Sequence, residues 1–191
     1  MASTFQSNDM PISEILQDID LGNNQLPDFQ RGWVWDDDRI KALIASISNS
    51  YPVGALMFLK YGGDTVRFRY RPFTGADSSP IPETLVLDGQ QRLTSIYTAM
   101  FSQNPVPTKT DKNKEIRRFY SLDIAKSLSS SIDRLDAIIS TPEDKQIKEN
   151  FGRDIILDVS SKEKEFENHM FPINIVYDRT ATSKWRNDYQ K

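Results

Sequence analysis

The chain has 191 residues, 24 Lys plus Arg against 27 Asp plus Glu, a net charge of −3, one histidine and no cysteine. That length suits one domain with a small appendage, and 38% hydrophobic with 27% charged residues excludes both a disordered chain and a membrane-spanning one. Without thiols there can be no disulfide framework, cysteine nucleophile, thiolate zinc site or iron–sulfur cluster, and a single His169 excludes His-His metal ligation. The opening residues MASTFQSNDM show no basic start followed by an apolar run, so no signal peptide is expected and the expected compartment is the cytoplasm. The near-neutral charge balance argues against a whole surface built for nucleic acid, though not against a local basic patch.

Ser13 reads as an N-cap, and Ile15, Leu16 and Ile19 share a stripe that predicts a short helix over 13–20. Gly22-Asn23-Asn24 ends it, and Leu26-Pro27 leads into the extended segment Asp28-Phe29-Gln30-Arg31. After Trp33-Val34-Trp35 comes Asp36-Asp37-Asp38, an acidic turn suited to the positive end of a helix dipole. Ile40, Leu43, Ile44 and Ile47, at i, i+3, i+4 and i+7, then predict a helix over 36–49. Tyr51-Pro52-Val53-Gly54 breaks it, and the apolar run 55–59 has the length of a buried strand. Val66, Phe68 and Tyr70 alternate with Arg67, Arg69 and Arg71, as in a half-exposed strand. Residues 75–83 read as a loop, and Thr84-Leu85-Val86-Leu87 as a buried strand ending at Asp88-Gly89.

Leu93, Ile96, Tyr97 and Met100 predict a helix over 90–101 with this stripe inward and Gln91, Thr94, Ser95 and Thr98 on the opposite face. Residues 102–114 read as a surface loop, 117–123 as a strand, and 123–139 as a helix carrying Leu128, Ile132, Leu135 and Ile139. Thr141-Pro142-Glu143 has the form of another helix start. Residues 173–177 read as a strand. A last helix beginning at Ser183 carries Trp185 and Tyr189 at i, i+4, a pair that expects a partner to bury it and points to a fragment of a longer protein.

The junction strand, Asp88-Gly89, helix has a physical reason to bind phosphate. Glycine lets the backbone turn sharply, and the first helical N–H groups lack intrahelical partners and carry roughly half a positive charge. Arg92 can add bidentate hydrogen bonds to phosphate, Gln90 and Gln91 can donate further ones, and Asp88 could hold Mg²⁺ or orient an attacking water. The structural alternative is that Asp88 caps the helix and Gly89 makes the turn. No G-x-x-x-x-G-K-[ST] or G-x-G-x-x-G occurs, which excludes a standard P-loop or Rossmann site.

Together, LPDFQRGWVW at 26–35, IKALIASISNSYPVGALMFL at 40–59 and LVLDGQQRLTSIYTAM at 85–100 resemble the N-terminal domain of GmrSD-type, modification-dependent restriction systems, also called domain of unknown function 262. That family is similar to the ParB and sulfiredoxin superfamily, whose members bind or hydrolyse nucleotides with a G-x-x-R turn at a helix start. Here Gly89-Gln90-Gln91-Arg92 matches the turn, while Gln90 stands where sulfiredoxins place a reactive cysteine, so their redox chemistry is impossible. The resemblance implies an α+β fold with a small mixed sheet, packed helices and a helical C-terminal extension. It divides the chain into a nucleotide-binding domain over 1–140 and an extension over 141–191 leading to a separate HNH-type nuclease domain.

It further implies a nucleoside triphosphate, with Mg²⁺ at Asp88, bound by Gln30, Arg31, Gly89, Gln90, Gln91, Arg92 and Thr94. Asp88, Gln91 and Arg92 would be catalytic, and binding would be linked to recognition of modified foreign DNA and would gate the nuclease. Arg67, Arg69 and Arg71 offer a DNA phosphate contact, or simply a solvated strand face. The residues leave other readings open. Arg31 could stack on an aromatic ring or stand free. Trp33 and Trp35 could be core or base-stacking residues, and Tyr51 to Gly54 could merely set the start of a strand. His169 suits a surface or capping role. A rival reading is a module that binds DNA or nucleotide without hydrolysis, and a blander one is a scaffolding partner. Homo-oligomerisation stays open, and no membrane partner is expected.

Overall fold

A computed structural model describes residues 7–62, 68–76 and 80–191. In order, the elements are α1 (Ile12–Asp20), β1 (Asn24–Pro27), α2 (Asp37–Ser48), β2 (Met57–Lys60), β3 (Tyr70–Arg71), β4 (Thr84–Asp88) and α3 (Gln90–Met100). Then follow β5 (Val106–Lys109), β6 (Glu115–Asp123), α4 (Ile124–Leu128), α5 (Arg134–Ala137), β7 (Ile138–Pro142), β8 (Gln146–Glu149), β9 (Asp154–Asp158), α6 (Lys162–Glu167), β10 (Met170–Pro172) and α7 (Arg179–Tyr189). The architecture is mixed α+β, as expected from the sequence.

The first sheet has the order β2-β4-β1-β3, with β1 parallel to β4 and the other pairs antiparallel. Because β1 and β4 run the same way, their carboxyl ends open at one edge of the sheet, where ligands of open α/β sheets are received. In the second sheet β6 pairs with β5, β7 and β10, and β8 and β9 form a separate hairpin. Asp37 in the first turn of α2 joins the two halves. Its carboxylate accepts from Tyr120 Oη at 2.7 Å and from Ser140 Oγ at 2.8 Å. Burial, reinforced by the Asp37 charge, pushes the Tyr120 hydroxyl well above its ordinary range, so it remains a donor.

The helix α3 is the axis of the core. Gln90 and every residue from Leu93 to Met100 are buried, so the face expected to oppose the apolar stripe is covered too. Two of the hydroxyls on that face bond back to the helix, Thr98 Oγ1 donating to Thr94 O at 2.7 Å and Ser95 Oγ to Gln91 O at 2.8 Å, while Thr94 Oγ1 is buried without a partner among the described residues.

Several expected elements differ. The first helix begins at Ile12 after Pro11, and Ser13 lies inside it rather than capping it. Residues 102–114 are not all loop, because β5 pairs with β6 and buries Val106 and Thr108. The single helix expected over 123–139 is two short helices and the start of β7. Asp123 and Asp133 each cap a new helix start, and Ile138 and Ile139 pair with β6, which leaves Leu128 at 82% exposure. Thr141-Pro142 ends β7 instead of starting a helix, with Thr141 fully buried opposite Phe119. Residues 173–175 form a 3₁₀ turn, the strand lying just before it at Met170–Pro172. The boundary expected after residue 140 falls inside β7, and β10 from the expected extension pairs with β6.

The C-terminal aromatics find partners within the chain. Trp185 stacks on Tyr189 at 5.0 Å between ring centroids and meets Phe166 and Phe171 edge-on, each at 5.1 Å. Its indole donates to Glu165 Oε2 at 2.9 Å, and both side chains are buried. The expectation that this pair needs an outside partner is therefore corrected. Burial pushes the Glu165 carboxyl up, against the indole hydrogen bond that favours ionisation. A raised folded value means the native state holds the proton to higher pH, so this group's contribution is full below the ordinary carboxylate range near pH 4 and falls as the pH rises through the folded value. Glu165→Gln, which keeps an oxygen for the indole, is expected to flatten the loss of stability as the pH rises above about 4. Urea unfolding at several pH values checks this, and an unchanged slope would show that the carboxyl ionises freely.

Candidate functional site

The turn between β4 and α3 is built around Gly89, at φ +91°, where a Cβ would fall 2.3 Å from Leu56 Cδ2. The backbone therefore has two reasons for glycine, the left-handed conformation and the packing. Leu93 N–H, bonded to Gly89 O at 2.9 Å, makes the first helical hydrogen bond, and the earlier N–H groups of the turn point out of the helix end. Asp88 does not cap: its side chain is 71% exposed and bonds Arg92 Nη2 at 3.2 Å.

The three polar side chains of the first turn hold neighbouring backbone. Gln90 Nε2 donates to Arg31 O at 2.9 Å. Gln91 works in both directions, donating to Gly32 O at 3.1 Å and accepting from Val34 N at 3.0 Å. Arg92 donates through Nη1 to Val53 O and through Nη2 to Ala55 O, the latter at 2.9 Å. Gly54 between them sits at φ +94°, and a Cβ there would lie 2.3 Å from Arg92 Nη1. One helix turn thus fixes two irregular segments, 31–34 and 53–55, whose carbonyls would otherwise lack strand or helix partners.

Gln30 completes the frame, its Nε2 donating to Val86 O at 2.9 Å and Leu87 O at 2.8 Å at the end of β4. Its Oε1 is buried with no hydrogen-bond partner among the described residues. Arg71 braces the same loop, donating to Gln30 O at 3.3 Å and Arg31 O at 3.2 Å. Between these elements lies an open cleft of about 440 Å³ lined by Gln30, Arg31, Trp35, Leu87 and Asp88 to Arg92. The Arg31 side chain has no bonding partner among the described residues and is exposed.

The residues singled out in the sequence at 30–31 and 88–92 thus converge, and Val53 and Gly54 border them. Thr94 does not join: it is fully buried inside α3 and lines no part of the cleft, which corrects its expected place at a ligand. Gln91 and Arg92 do line the cleft, and their side chains also hold backbone of the neighbouring segments and, for Arg92, the Asp88 carboxylate. Arg67 lies outside the described residues. Arg69 is exposed, while Arg71 points its guanidinium to the loop over the cleft rather than to solvent alone. Trp35 and Arg71 are the lining and bracing residues that sequence reasoning assigned elsewhere. Arg71 reaches Gln30-Arg31 through the β1–β3 pairing, which no sequence displays, whereas Trp35 stands only four residues from Arg31 in the chain. A second cavity, about 580 Å³, lies at the far end of α3 by Tyr97, Phe101 and Asp178, away from all of these groups.

Among the described residues no three His, Cys, Asp or Glu side chains form a metal-binding group, and no helix is long and apolar enough to cross a membrane. Residues 12–188 match the family described as GmrSD restriction endonuclease, N-terminal domain. The chain belongs to that family. It is similar to an uncharacterised protein of Methanocaldococcus jannaschii, with 32% identity over 164 residues, 81% of this chain and 26% of the relative. The chain therefore spans about a quarter of the length of that relative.

In this GmrSD N-terminal domain the Arg92 latch makes a stability prediction. Gly54→Ala is expected to cost about 1–3 kcal/mol through its positive φ and its collision with the guanidinium. Arg92→Lys, which keeps the charge but loses the fork, should also unfold at lower urea. Wild-type midpoints in both variants would show that the latch carries no stability.

Proposed function

We propose that this domain binds a nucleoside triphosphate in the cleft at the carboxyl ends of β1 and β4, as the sensor part of a restriction protein of phage defence that acts on modified DNA. One observation carries the reading: the outward N–H groups of the first turn of α3, the left-handed Gly89 and the unengaged Arg31 face one cleft. Phosphate is the ligand whose charge and oxygen geometry suit all three.

The roles divide by what each side chain already holds. Gln90, Gln91 and Arg92 position the turn and its neighbouring segments, while Arg92 adds positive charge behind the N–H groups. Arg31 makes the direct charge-assisted contact. Gln30 holds the end of β4 against the cleft through Val86 O and Leu87 O. Among the described residues Asp88 is the one carboxylate lining the cleft, which fits a Mg²⁺ carried in by the phosphates and completed by water, and not a resident ion held by protein alone. Bound so, the ion would neutralise phosphate charge. Asp88, exposed and tethered only to Arg92, is also the group placed to orient a water toward the terminal phosphate. Positioning and charge neutralisation supply most of phosphoryl transfer. The ParB/sulfiredoxin-like character of the domain rests on this same strand, glycine and helix junction.

DNA cleavage belongs elsewhere in the full protein, in a nuclease domain of HNH type. The chain's single histidine, His169, is bonded through Nδ1 to Tyr189 at 2.8 Å in the C-terminal aromatic cluster, which leaves no histidine for such a centre. The rival reading, binding without hydrolysis, draws on the same scarcity of carboxylates at the cleft. Phosphate release with and without DNA, in wild type and Asp88→Ala, separates the two.

Titration of labelled nucleotide tests the site itself. Arg31→Ala is expected to weaken binding by about 2 kcal/mol, roughly thirtyfold, with the unfolding midpoint unchanged, because the side chain holds nothing in the fold. Arg92→Ala should lower both affinity and stability. An unaltered dissociation constant in Arg31→Ala would remove the phosphate from this cleft.

A further inference from the structure

The β1–β3 ladder does not stop at its last strand residues. Leu26 pairs with Arg71 and Pro27 with Tyr70, and Asp28 N–H donates to Arg69 O at 2.8 Å, so the antiparallel register continues outward. It brings Phe29 opposite Phe68 as a cross-strand pair, with ring centroids 5.3 Å apart and planes at 72°. Both rings stand in solvent, Phe29 at 67% and Phe68 at 43% exposure. Two residues along, Tyr70 meets Tyr61 in the same edge-on manner, also at 5.3 Å. Residues 68 and 70 share one side of the strand, so the file of aromatics is continuous.

Exposed phenylalanines contribute nothing to a core, and this pair lies at a sheet edge with Arg69 beside Phe68 and Asp28 across the ladder from Arg69. Arg69, next to Phe68, is exposed and has no ion-pair partner among the described residues, and Lys60 precedes Tyr61. Asp28, the acid of the turn, forms no ion pair there among the described residues. Aromatic faces beside an exposed, unpaired guanidinium suit a polyanion that presents unstacked rings: bases lie on the aromatics while phosphates meet the guanidinium. A duplex hides its base faces and offers only its phosphates and groove edges. Because β1 and β4 are parallel, this pair stands at the same edge of the sheet as the cleft, two residues before Arg31.

From this we infer that Phe29 and Phe68 form a stacking platform for single-stranded DNA, with Arg69 on its backbone, adjoining but separate from the nucleotide cleft. The inference shares with the proposed function only DNA as the partner, and it uses none of the cleft's side chains.

The test is fluorescence anisotropy of the chain with a labelled short oligothymidylate and with a duplex of equal length. Wild type should bind the single strand more tightly. Phe29→Ala/Phe68→Ala should weaken that binding at least about tenfold while leaving the unfolding midpoint and nucleotide affinity unchanged. Phe29→Trp with Phe68 intact should retain binding, and Arg69→Gln should reduce its salt dependence by about one counterion. Four outcomes overturn the platform: no binding of the oligomer by wild type, no loss in the double variant, tighter binding of the duplex, or an equal loss for a mononucleotide, which would assign the rings to the nucleotide's own base. Failure of nucleotide to bind the cleft, with the oligomer result intact, would instead overturn the proposed function alone.

Discussion

Everything near the cleft depends on one arginine fork. Arg92 reaches from the first turn of α3 to the carbonyls of Val53 and Ala55 and to the Asp88 carboxylate, across a gap that only a glycine at 54 leaves open. Hydrogen bonds to a charged donor are about twice as strong as neutral ones, and here they satisfy backbone that has no ladder to join. Gln90 and Gln91 do the same for residues 31–34. A turn with the composition of a ligand grip therefore spends most of its side-chain hydrogen bonds on the protein itself. What it leaves for a ligand is backbone N–H, net charge, and the neighbouring Arg31.

That arrangement makes the cleft rigid. Its walls are fixed from β4 through Gln30, from β3 through Arg71, and from the loop before β2 through Arg92. The second sheet is fastened to the same region, since Trp35 lines the cleft while its carbonyl accepts from Thr108 of β5 at 2.8 Å. Asp37 adds the buried contacts to Tyr120 and Ser140. For the proposed phosphate ligand, donors fixed in this way would need no loop reordering, which saves the entropy that flexible sites lose. The family match spans residues 12–188 and so takes in both the cleft and the sheet fastened to it.

The helices with apolar residues at i, i+3, i+4 and i+7 were legible because burial of one face leaves that period wherever the helix packs on a single surface. So α2 and α3 stand within two residues of their expected limits, and the DGQQR turn stands where a strand meets a helix. Local periodicity fails where pairing partners are distant in sequence. The stripe Leu128, Ile132, Leu135, Ile139 has helical spacing, yet pairing of β7 with β6 takes its last member and leaves Leu128 in solvent. The four residues of β5 include a proline and a lysine, and only the neighbouring β6 makes them a strand.

The sequence by itself determined the chemistry on hand: no thiol, one histidine, and an uninterrupted Asp-Gly-Gln-Gln-Arg turn at the start of an amphipathic helix. Those are properties of composition and short range, which folding cannot alter. Only the tertiary structure decided how that chemistry is used. Hydrogen-bond donors choose among acceptors by distance, and the carbonyls of residues 31–32 and 53–55 reach the turn only through the packing of β1, β2 and β4 around α3. The same packing joined Gln91 and Arg92 to neighbouring backbone, sealed Thr94 in the core, and set Phe29 against Phe68 at the sheet edge.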